Sequence, residues 1–579
     1  IINLTNNNSD ETKNNYFWYV YQNIFLMKKH LLLLLCITTL IYSCEKIEKK
    51  DQKPTLVIGI VVDQMRYDYL TKYADRYGEY GFNKLLNEGF SLTNAHFNHI
   101  GTYTAVGHAT AYTGTTPSDH GIIGNNWYDK YLKKSIYCVD DSNYNSIGTL
   151  GNSGEKSPKR LITTTITDQL RLGQNMKGKT IGIAIKDRSS ILPAGHTATG
   201  AYWYEGKDEN NWITSSYYMD ELPSWVIDFN AANKADEYLS KPWKTLYEID
   251  SYTQSLADDN PYEGTFKGET SPTFPHNLPA LRNKNGNYDI IKGTPFGNDL
   301  TLDFTKAAIK GERLGKSDAI DFLAIGFSST DYIGHQYGTD AIEIEDTYLR
   351  FDQNLADLFK FLDTEVGIGK YTVFLTADHG AAQVPAYLQS LEIPAPYFKS
   401  KEFKKYLSKV SKVNFGDESL VENVSNYQIF LNKEKIKKLQ LNMEDVAAIF
   451  AEEALLFDGI YKTVTSKTLK TTQFTSGVLE KVQHSYNQKI SGDVILIPTP
   501  GAISRGKTGT THGSAYSYDT HVPIIFYGAG IKNGFSHKDY NVRDIAPTLA
   551  SLLGVEFPNG NSGKVIEEVL EWSNEKVYL

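Results

Sequence analysis

The sequence predicts an α/β fold in which a largely parallel central sheet lies between two layers of helices. Several short segments are almost unbroken runs of β-branched and apolar residues, which is typical of parallel strands buried on both faces. Segments with helical spacing of apolar residues, such as 341–362, lie between several of them, and this alternation favours a doubly wound sheet. Strands of this kind are predicted at 55–62, 180–185, 322–326, 371–375, 494–497 and 522–526.

Length and charge set limits on the class of protein. The 579 residues suffice for one large core or two ordinary ones. The formal net charge is -9 and the isoelectric point is near 5.9, so no basic surface field is expected. A nucleic-acid polymer is therefore not predicted as a partner.

The N-terminal region predicts a secreted protein. Residues 1–26 begin with isoleucine and are rich in asparagine, and we interpret them as upstream translated sequence. Residues 27–44 contain a basic pair, a short apolar stretch and a small residue before Cys44, which is the order of a secretory signal peptide. The apolar stretch is too short for a permanent membrane span. The charged residues 45–54 are interpreted as a linker.

Two locations remain open at Cys44. Ile41, Tyr42 and Ser43 before it resemble a bacterial lipobox, in which the cysteine is lipidated after cleavage, and this favours an envelope anchor. Tyr42 is bulkier than that pattern prefers, which favours soluble release into the periplasm. Past Cys44 the chain has a single cysteine, Cys138, so no internal disulfide is expected and a metal site would use Asp and His.

Residues 55–579 are predicted to form one folded domain with two insertions. The stretch near 200–300 is rich in Trp, Tyr, Asn, Pro and Gly with little helical period, and it is expected to cover an edge of the sheet. The stretch near 395–485 is rich in Lys and Glu and is predicted to be partly helical.

Candidate metal ligands follow two of the predicted strands. Asp63 ends the first strand, where a buried carboxylate is costly unless a cation pairs with it. A helix cap or an ion pair with Arg66 would also explain it. Asp331 and His335 follow a later strand and are four residues apart, so one helical turn would place both on one face. A capping aspartate and a core histidine explain these two residues equally well.

Two further segments add candidate ligands. Asp378 and His379 come directly after an apolar strand, and Gly380 supplies the freedom for a turn that lets both side chains reach one site. His512 lies in a loop rich in Gly, Thr and Ser, where a lone histidine is usually structural.

Taken together, these residues predict a pair of zinc ions. Ligands of doubly wound sheets lie beyond the carboxyl ends of the strands, which is where these segments meet. Three aspartates with three histidines suit zinc, whereas magnesium would normally have more carboxylates. Paired metals stabilise both the attacking and the leaving oxygen in phosphoryl transfer. The six predicted ligands are Asp63, Asp331, His335, Asp378, His379 and His512.

A candidate nucleophile lies in residues 101–110, where small and hydroxylated residues precede a predicted helix. Backbone amides at a helix N-terminus favour an anion, and a metal can lower the pKa of a threonine hydroxyl. Ordinary capping by Thr102 or Thr104 is the alternative.

With these motifs the chain resembles the alkaline phosphatase superfamily from residue 55 to about 555. The likeness is strongest to the phosphate-irrepressible, PafA-type alkaline phosphatases, which are related to type I phosphodiesterases and nucleotide pyrophosphatases. It implies an alkaline-phosphatase-like three-layer α/β/α sandwich with inserted capping segments. It also implies that one zinc is held by Asp331, His335 and His512 and the other by Asp63, Asp378 and His379.

The resemblance also implies catalytic roles. The Thr-x-x-x-His motif at 104–108 makes Thr104 the nucleophile and a ligand of the second zinc. The segment His-Gly-Ile-Ile-Gly-Asn implies that Asn125 donates to a phosphate oxygen. The Lys-x-Arg pattern implies that Lys186 and Arg188 contact the remaining phosphoryl oxygens, which carry more charge in a monoester than in a diester. Two exposed residues at a strand end are the alternative.

These implications predict a zinc-dependent alkaline phosphatase of broad substrate range. It would act as a monomer on small phosphate monoesters through a phosphothreonine intermediate. A phosphodiesterase or nucleotide pyrophosphatase with the same metal site is the main rival. A sulfatase would need a C/S-x-P-x-R segment, which is absent. A binding lipoprotein would have little need for Thr104.

Overall fold

The computed structural model describes residues 18–22, 24, 27, 53–207 and 209–571. The chain divides into two compact units, residues 1–52 and 53–579. In the first unit the described residues are helical and exposed, and most of the predicted signal peptide, including Cys44, lies outside the described residues. Within the described ranges, no helix has both the length and the apolar character that a membrane crossing requires.

The second unit is built from alternating strands and helices. The strands of its described part are β1 (Leu56–Val62), β2 (Phe90–Leu92), β3 (Ala95–His96), β4 (Asn126–Asp129), β5 (Lys134–Tyr137), β6 (Ser146–Ile147), β7 (Thr180–Ala184), β8 (Gly200–Glu205), β9 (Asn211–Ser215), β10 (Asp321–Phe327), β11 (Tyr371–Thr376), β12 (Val421–Ser425), β13 (Gln428–Leu431), β14 (Ile460–Thr465), β15 (Val494–Pro498), β16 (Ile524–Gly528), β17 (Gly534–Ser536) and β18 (Tyr540–Asn541). Its helices of eight or more residues are Thr104–Thr113, Ile166–Gly173, Asp187–Ala194, Ser224–Ala231, Phe296–Glu312, Ser329–Tyr337, Ile342–Leu362, Ser400–Phe415, Met443–Ala454, Gly477–Ser485 and Ile545–Leu553. Its shorter α-helices are Tyr69–Lys72, Phe82–Glu88, Pro117–His120, Lys234–Leu239, Leu278–Leu281, Pro385–Ser390, Lys433–Lys438, Ser466–Thr471 and Ser517–Thr520.

A ten-stranded sheet of the described residues forms the centre of the fold, in the order β17-β2-β16-β11-β1-β10-β7-β8-β9-β6. The five neighbours from β11 to β8 are all parallel. Every residue of β1 and β10 is buried, because helices cover both faces of the sheet. The predicted α/β/α fold with a largely parallel sheet is therefore confirmed. The first four predicted strands agree with β1, β7, β10 and β11 to within one residue at each end.

Two of the predicted parallel strands were wrong in placement or direction. β15 lies outside the central sheet, in a four-stranded antiparallel sheet of order β12-β13-β15-β14. β16 belongs to the central sheet but runs antiparallel to β11. A continuous apolar run indicates that a strand is buried on both faces. It does not indicate the direction of the strand or the core in which the strand lies.

The aromatic-rich stretch near 200–300 was expected to cover an edge of the sheet, but its first part forms strands of that sheet. β8 and β9 extend the central sheet itself, because aromatic side chains such as Tyr202 and Trp212 suit a buried pleated surface. The Trp212 ring stacks on Phe304 with centroids 4.1 Å apart, which joins β9 to the helix Phe296–Glu312. Short helices follow this edge.

The stretch near 395–485 forms part of a smaller core. Helices Ser400–Phe415 and Met443–Ala454 pack on the four-stranded sheet through buried side chains such as Phe403, Ile429 and Phe450. This second core continues to β15, beyond the range expected from the sequence.

A buried histidine links the first insertion to the central helix Ile342–Leu362. His276 lies 2.8 Å from Glu269 through Nδ1 and 3.2 Å from Glu343 through Nε2. Burial alone would lower the pKa of His276, but its hydrogen bonds to the two carboxylates raise it to about 9.

We expect this histidine to make the fold less stable at alkaline pH. A histidine whose pKa is higher in the folded than in the unfolded state stabilises the fold while it is protonated. This contribution is complete below the unfolded pKa of about 6.5 and is lost as the pH rises through the folded pKa of about 9. The free energy of unfolding, measured by denaturant titration, should fall by on the order of 3 kcal/mol between pH 6.5 and pH 10 from this group. His276→Gln should be less stable at pH 6.5 and should change less over that range. An unchanged pH dependence in the variant would contradict this assignment.

Candidate active site

The candidate site lies at the carboxyl ends of four adjacent parallel strands, β11, β1, β10 and β7. Asp63 directly follows β1 and Asp378 follows β11. Asp331 lies in the helix after β10, and Lys186 lies between β7 and the next helix. Because parallel strands end at the same edge of a sheet, segments that are far apart in sequence meet here.

Asp331, His335 and His512 form one cluster, named the Asp331 group. Asp331 and His335 lie one turn apart in the helix Ser329–Tyr337, as predicted. Asp331 Oδ1 is 3.2 Å from His335 Nε2 and 3.6 Å from His512 Nε2. The three potential ligand atoms lie within 4.8 Å of one another.

Both histidines of the Asp331 group are oriented by backbone carbonyls. His335 Nδ1 lies 2.8 Å from the carbonyl oxygen of Thr510, and His512 Nδ1 lies 2.6 Å from that of Thr102. A carbonyl can only accept, so Nδ1 carries the proton and the Nε2 lone pair faces Asp331. Such an orienting bond is typical of metal-binding histidines.

Asp63, Asp378 and His379 form the second cluster, named the Asp63 group. His379 Nε2 lies 3.5 Å from Asp63 Oδ1 and 3.6 Å from Asp378 Oδ2. The His379 Nδ1 proton is donated to the carbonyl oxygen of Gly380, 2.9 Å away. These ligand atoms also lie within 4.8 Å of one another.

The Asp63 group fits a bound cation. Asp63 Oδ1, Asp378 Oδ2 and His379 Nε2 are buried and have no hydrogen-bond partner among the described residues. Most buried polar atoms have a partner, and here three that lack one lie together, since His379 Nε2 is within 3.6 Å of both carboxylate oxygens. Two carboxylates and a neutral imidazole are suitable ligands for a divalent transition metal.

The electrostatics of the two groups also favour cations. Burial raises the pKa of Asp63 to about 6, although the nearby Lys186 opposes the shift. Burial lowers the pKa of His512 to about 3 and that of His379 well below its ordinary value. The imidazoles therefore stay neutral at pH 7 and keep a lone pair for a metal, while a metal would compensate the buried carboxylates.

Lys186 lies between the two groups. Its Nζ is 2.8 Å from Asp63 Oδ2 and 2.5 Å from Asp331 Oδ2, and the side chain is buried. Burial opposes its charge, but these two carboxylates raise the pKa of the ammonium above its ordinary value. Lys186 therefore carries a permanent positive charge at the centre of the site.

Thr104, Asn125 and Arg188 of the predicted catalytic set meet at the start of the helix Thr104–Thr113. Thr104 is buried at the first position of the helix Thr104–Thr113, and its Oγ1 lies 3.5 Å from Arg188 Nη2. The Asn125 carbonyl oxygen accepts a hydrogen bond of 2.9 Å from the backbone N–H of Ala105, which fixes the carboxamide and leaves its NH₂ available as a donor.

The contacts in the structure do not match the alternative roles that the sequence left open for Asp63 and Thr102. Arg66 pairs with Asp68 at 2.7 Å, and Asp63 is paired with Lys186. The Thr102 hydroxyl donates to the carbonyl oxygen of Ser514 and does not cap the helix.

Sequence patterns missed two residues of the site. Gln64 donates to Asp331 through its side chain and to Asp378 through its backbone. The Tyr137 hydroxyl lies 3.0 Å from Arg188 Nη1 and also contacts Asp187, so it orients the guanidinium. The position of Gln64 beside Asp63 is the only sequence signal for either role.

Comparison with known proteins places the chain in a family. Residues 57–522 match the family described as type I phosphodiesterase / nucleotide pyrophosphatase. The chain belongs to this family.

Similarity to individual family members extends over nearly the whole chain. A relative from Elizabethkingia meningoseptica named alkaline phosphatase PafA is 43% identical over 520 residues, which covers 90% of this chain and 95% of the relative. A crystal structure of wild-type alkaline phosphatase PafA is 43% identical, has a TM-score of 0.87, and covers 90% of this chain and 99% of that chain. A relative from Myroides odoratus named calcium-transporting ATPase is 47% identical over 535 residues, which covers 92% of this chain and 96% of the relative. The predicted family, fold and enzyme class are confirmed by the first two similarities.

Proposed function

We propose that the protein is a zinc-dependent alkaline phosphatase that hydrolyses phosphate monoesters through a phosphothreonine at Thr104. One observation carries this proposal: the Thr104 hydroxyl faces Arg188, while Lys186 lies between two clusters of metal ligands. A candidate nucleophile beside one cation, with a second cation between two groups of metal ligands, suits the needs of phosphoryl transfer.

The relatives support the same reading. Four of them are named alkaline phosphatases, including the Elizabethkingia protein. A solved variant of alkaline phosphatase PafA, 42% identical to this chain, has substitutions at a threonine, an asparagine, a lysine and an arginine, in that order along its sequence. Here Thr104, Asn125, Lys186 and Arg188 occur in the same order.

Two zinc ions are proposed as the cofactors, one in the Asp331 group and one in the Asp63 group. Zinc would supply Lewis acidity that lowers the pKa of a hydroxyl or a water and stabilises charge on the leaving oxygen. The ligand chemistry, three carboxylates with three neutral imidazoles, favours zinc over magnesium.

The residues of this chain would carry out two in-line displacements. Thr104 Oγ1 attacks phosphorus as the bond to the leaving alcohol breaks, and a water then displaces Thr104 from the phosphoenzyme. In both steps the Asn125 amide and the Lys186 and Arg188 cations hold the non-bridging oxygens. Thr104 is the first residue of the helix Thr104–Thr113, and the positive end of the helix dipole favours an anion there.

A phosphodiesterase is the second candidate, because one observation leaves room for it. A cavity of about 790 Å³ opens beside Lys186 and Arg188 and would accommodate a second ester group. The two cations argue for the monoester, whose dianion carries more charge on the oxygens that they face. A broad range of small monoesters is consistent with this open cavity.

Removal of metal is expected to abolish monoester hydrolysis. Without metal, Asp63 Oδ1 and Asp378 Oδ2 stay buried with no hydrogen-bond partner among the described residues, although Lys186 still pairs with Asp63 Oδ2, so the thermal midpoint should also fall. Zinc per chain, activity and the thermal midpoint should be measured before and after dialysis against a chelator. Two equivalents of Zn²⁺, but not Mg²⁺, should restore activity. Full activity after complete zinc removal would contradict the proposal.

We also propose that the protein acts as a monomer outside the cytoplasm, with residues 27–44 as its signal peptide and residues 55–579 as the catalytic domain. The proposal has two versions: in one the mature protein is anchored by a lipid on Cys44, and in the other it is released as a soluble periplasmic protein. Mass analysis of the mature N-terminus distinguishes them, and an intact residue 27 on exported protein would contradict both.

A further inference from the structure

Gln64 makes two contacts that link the metal-ligand groups. It directly follows Asp63 and is buried, with a φ of 65°, a left-handed conformation that residues other than glycine seldom adopt. Its backbone N–H donates to Asp378 Oδ1 at 3.1 Å. Its side-chain Nε2 donates to Asp331 Oδ1 at 2.6 Å. One residue is therefore bonded to a carboxylate of each group.

The side-chain bond goes to an atom that matters for metal binding. Asp331 Oδ1 is the same oxygen that lies 3.2 Å from His335 Nε2. A carboxylate oxygen has two lone pairs, so a donor on one of them fixes the direction of the other. Donors of this kind orient ligands and strengthen metal binding.

The surrounding chain leaves little freedom for this carboxamide. Gln64 Oε1 packs against Gly334 in the helix that carries Asp331 and His335, and a Cβ at Gly334 would lie 2.0 Å from that oxygen. A side chain at this helix position would therefore displace the glutamine. The close packing holds Nε2 toward Asp331.

We propose that Gln64 is a positioning residue: its backbone is fixed at the Asp63 group by the bond to Asp378, and its side chain orients the Asp331 carboxylate for metal binding at the Asp331 group. The inference rests on the proposed function, since it concerns the same pair of metals. The backbone bond to Asp378 should survive a substitution at this position, whereas the side-chain bond to Asp331 is lost. Substitution should therefore weaken the Asp331 group selectively.

Titration of the metal-free full-length protein with Co²⁺ tests the inference. Visible absorption reports binding at each group, and His335→Ala and His379→Ala provide reference spectra with one group disabled. In Gln64→Met, which keeps the volume and removes the donor, we expect a 10- to 100-fold weaker affinity at the Asp331 group. The affinity at the Asp63 group should change by less than about threefold.

A second variant and a matched control complete the design. Gln64→Glu keeps the shape but places an acceptor beside Asp331, so it should weaken the same group at least as much. Gln174→Met is the control, because its carboxamide binds the backbone of Ile320 at the opposite end of the sheet. Thermal unfolding of each metal-free protein checks that it is folded.

The outcomes separate the two proposals. Wild-type affinity at the Asp331 group in a folded Gln64→Met or Gln64→Glu protein would overturn the role of Gln64 alone. Equal weakening in the Gln174→Met control would overturn it as well. Wild-type protein that binds fewer than two Co²⁺ would overturn the proposed function together with this inference.

Discussion

Replacement of Thr104 by alanine is expected to lower kcat for phosphate monoesters by roughly 10³-fold or more, because the nucleophile is removed. Zinc content should stay at the wild-type value, since each ligand cluster of the described residues keeps its three Asp and His side chains without this hydroxyl. The measurement is steady-state kinetics on a phenyl phosphate monoester together with metal analysis of the same protein sample.

Two further variants make this result interpretable. Thr113→Ala removes a hydroxyl that binds the Ala109 carbonyl oxygen at the other end of the same helix, so it controls for helix stability. Thr104→Ser keeps the hydroxyl and should retain measurable turnover. Wild-type activity in Thr104→Ala would exclude Thr104 as the nucleophile.

Most of the metal ligands could be predicted because the strands that precede them could be predicted from their apolar sequences. Asp63 and Asp378 follow fully buried apolar strands, and the four-residue spacing of Asp331 and His335 needs only one helical turn. His512 was different, since a lone histidine in a loop has no pattern of its own. It entered the set only because the other three segments already predicted a metal site, and the family resemblance then assigned it to one of the two zinc ions.

The contacts between these segments could not be read from the sequence. Gln64 reaches Asp331 and Asp378 across separations of 267 and 314 residues, through a left-handed turn that no glycine marks. The direction of β16 and the second core around β15 were missed for a related reason. Apolar runs show that a strand is buried but not what it packs against.

Replacement of Arg188 by alanine is expected to lower kcat/KM for monoesters by about 100- to 1000-fold, because one cation on the phosphoryl oxygens is lost. Hydrolysis of diesters should change far less, since a diester carries less charge on those oxygens. The ratio of kcat/KM for a phenyl phosphate monoester to that for its diester therefore measures the effect. A parallel loss for both substrates would indicate a general structural role.

Lys186 should behave differently from Arg188 because it also contacts two metal-ligand carboxylates. Lys186→Ala removes the ammonium from Asp63 and Asp331, so both metal affinity and monoester preference should change. Lys292→Ala is the matched control, since Lys292 lines the same cavity but pairs with Asp289. An unchanged monoester preference in both Arg188→Ala and Lys186→Ala would remove the basis for assigning a monoesterase.

The most direct test of the monoesterase assignment is the ratio of kcat/KM for a phenyl phosphate monoester to that for its diester on the zinc-loaded wild-type protein. Arg188 beside Thr104 and Lys186 between the two metal-ligand groups predict a preference for the monoester of about 10³-fold. Equal rates, or a preference for the diester, would contradict a phosphomonoesterase and assign the same site to phosphodiester hydrolysis.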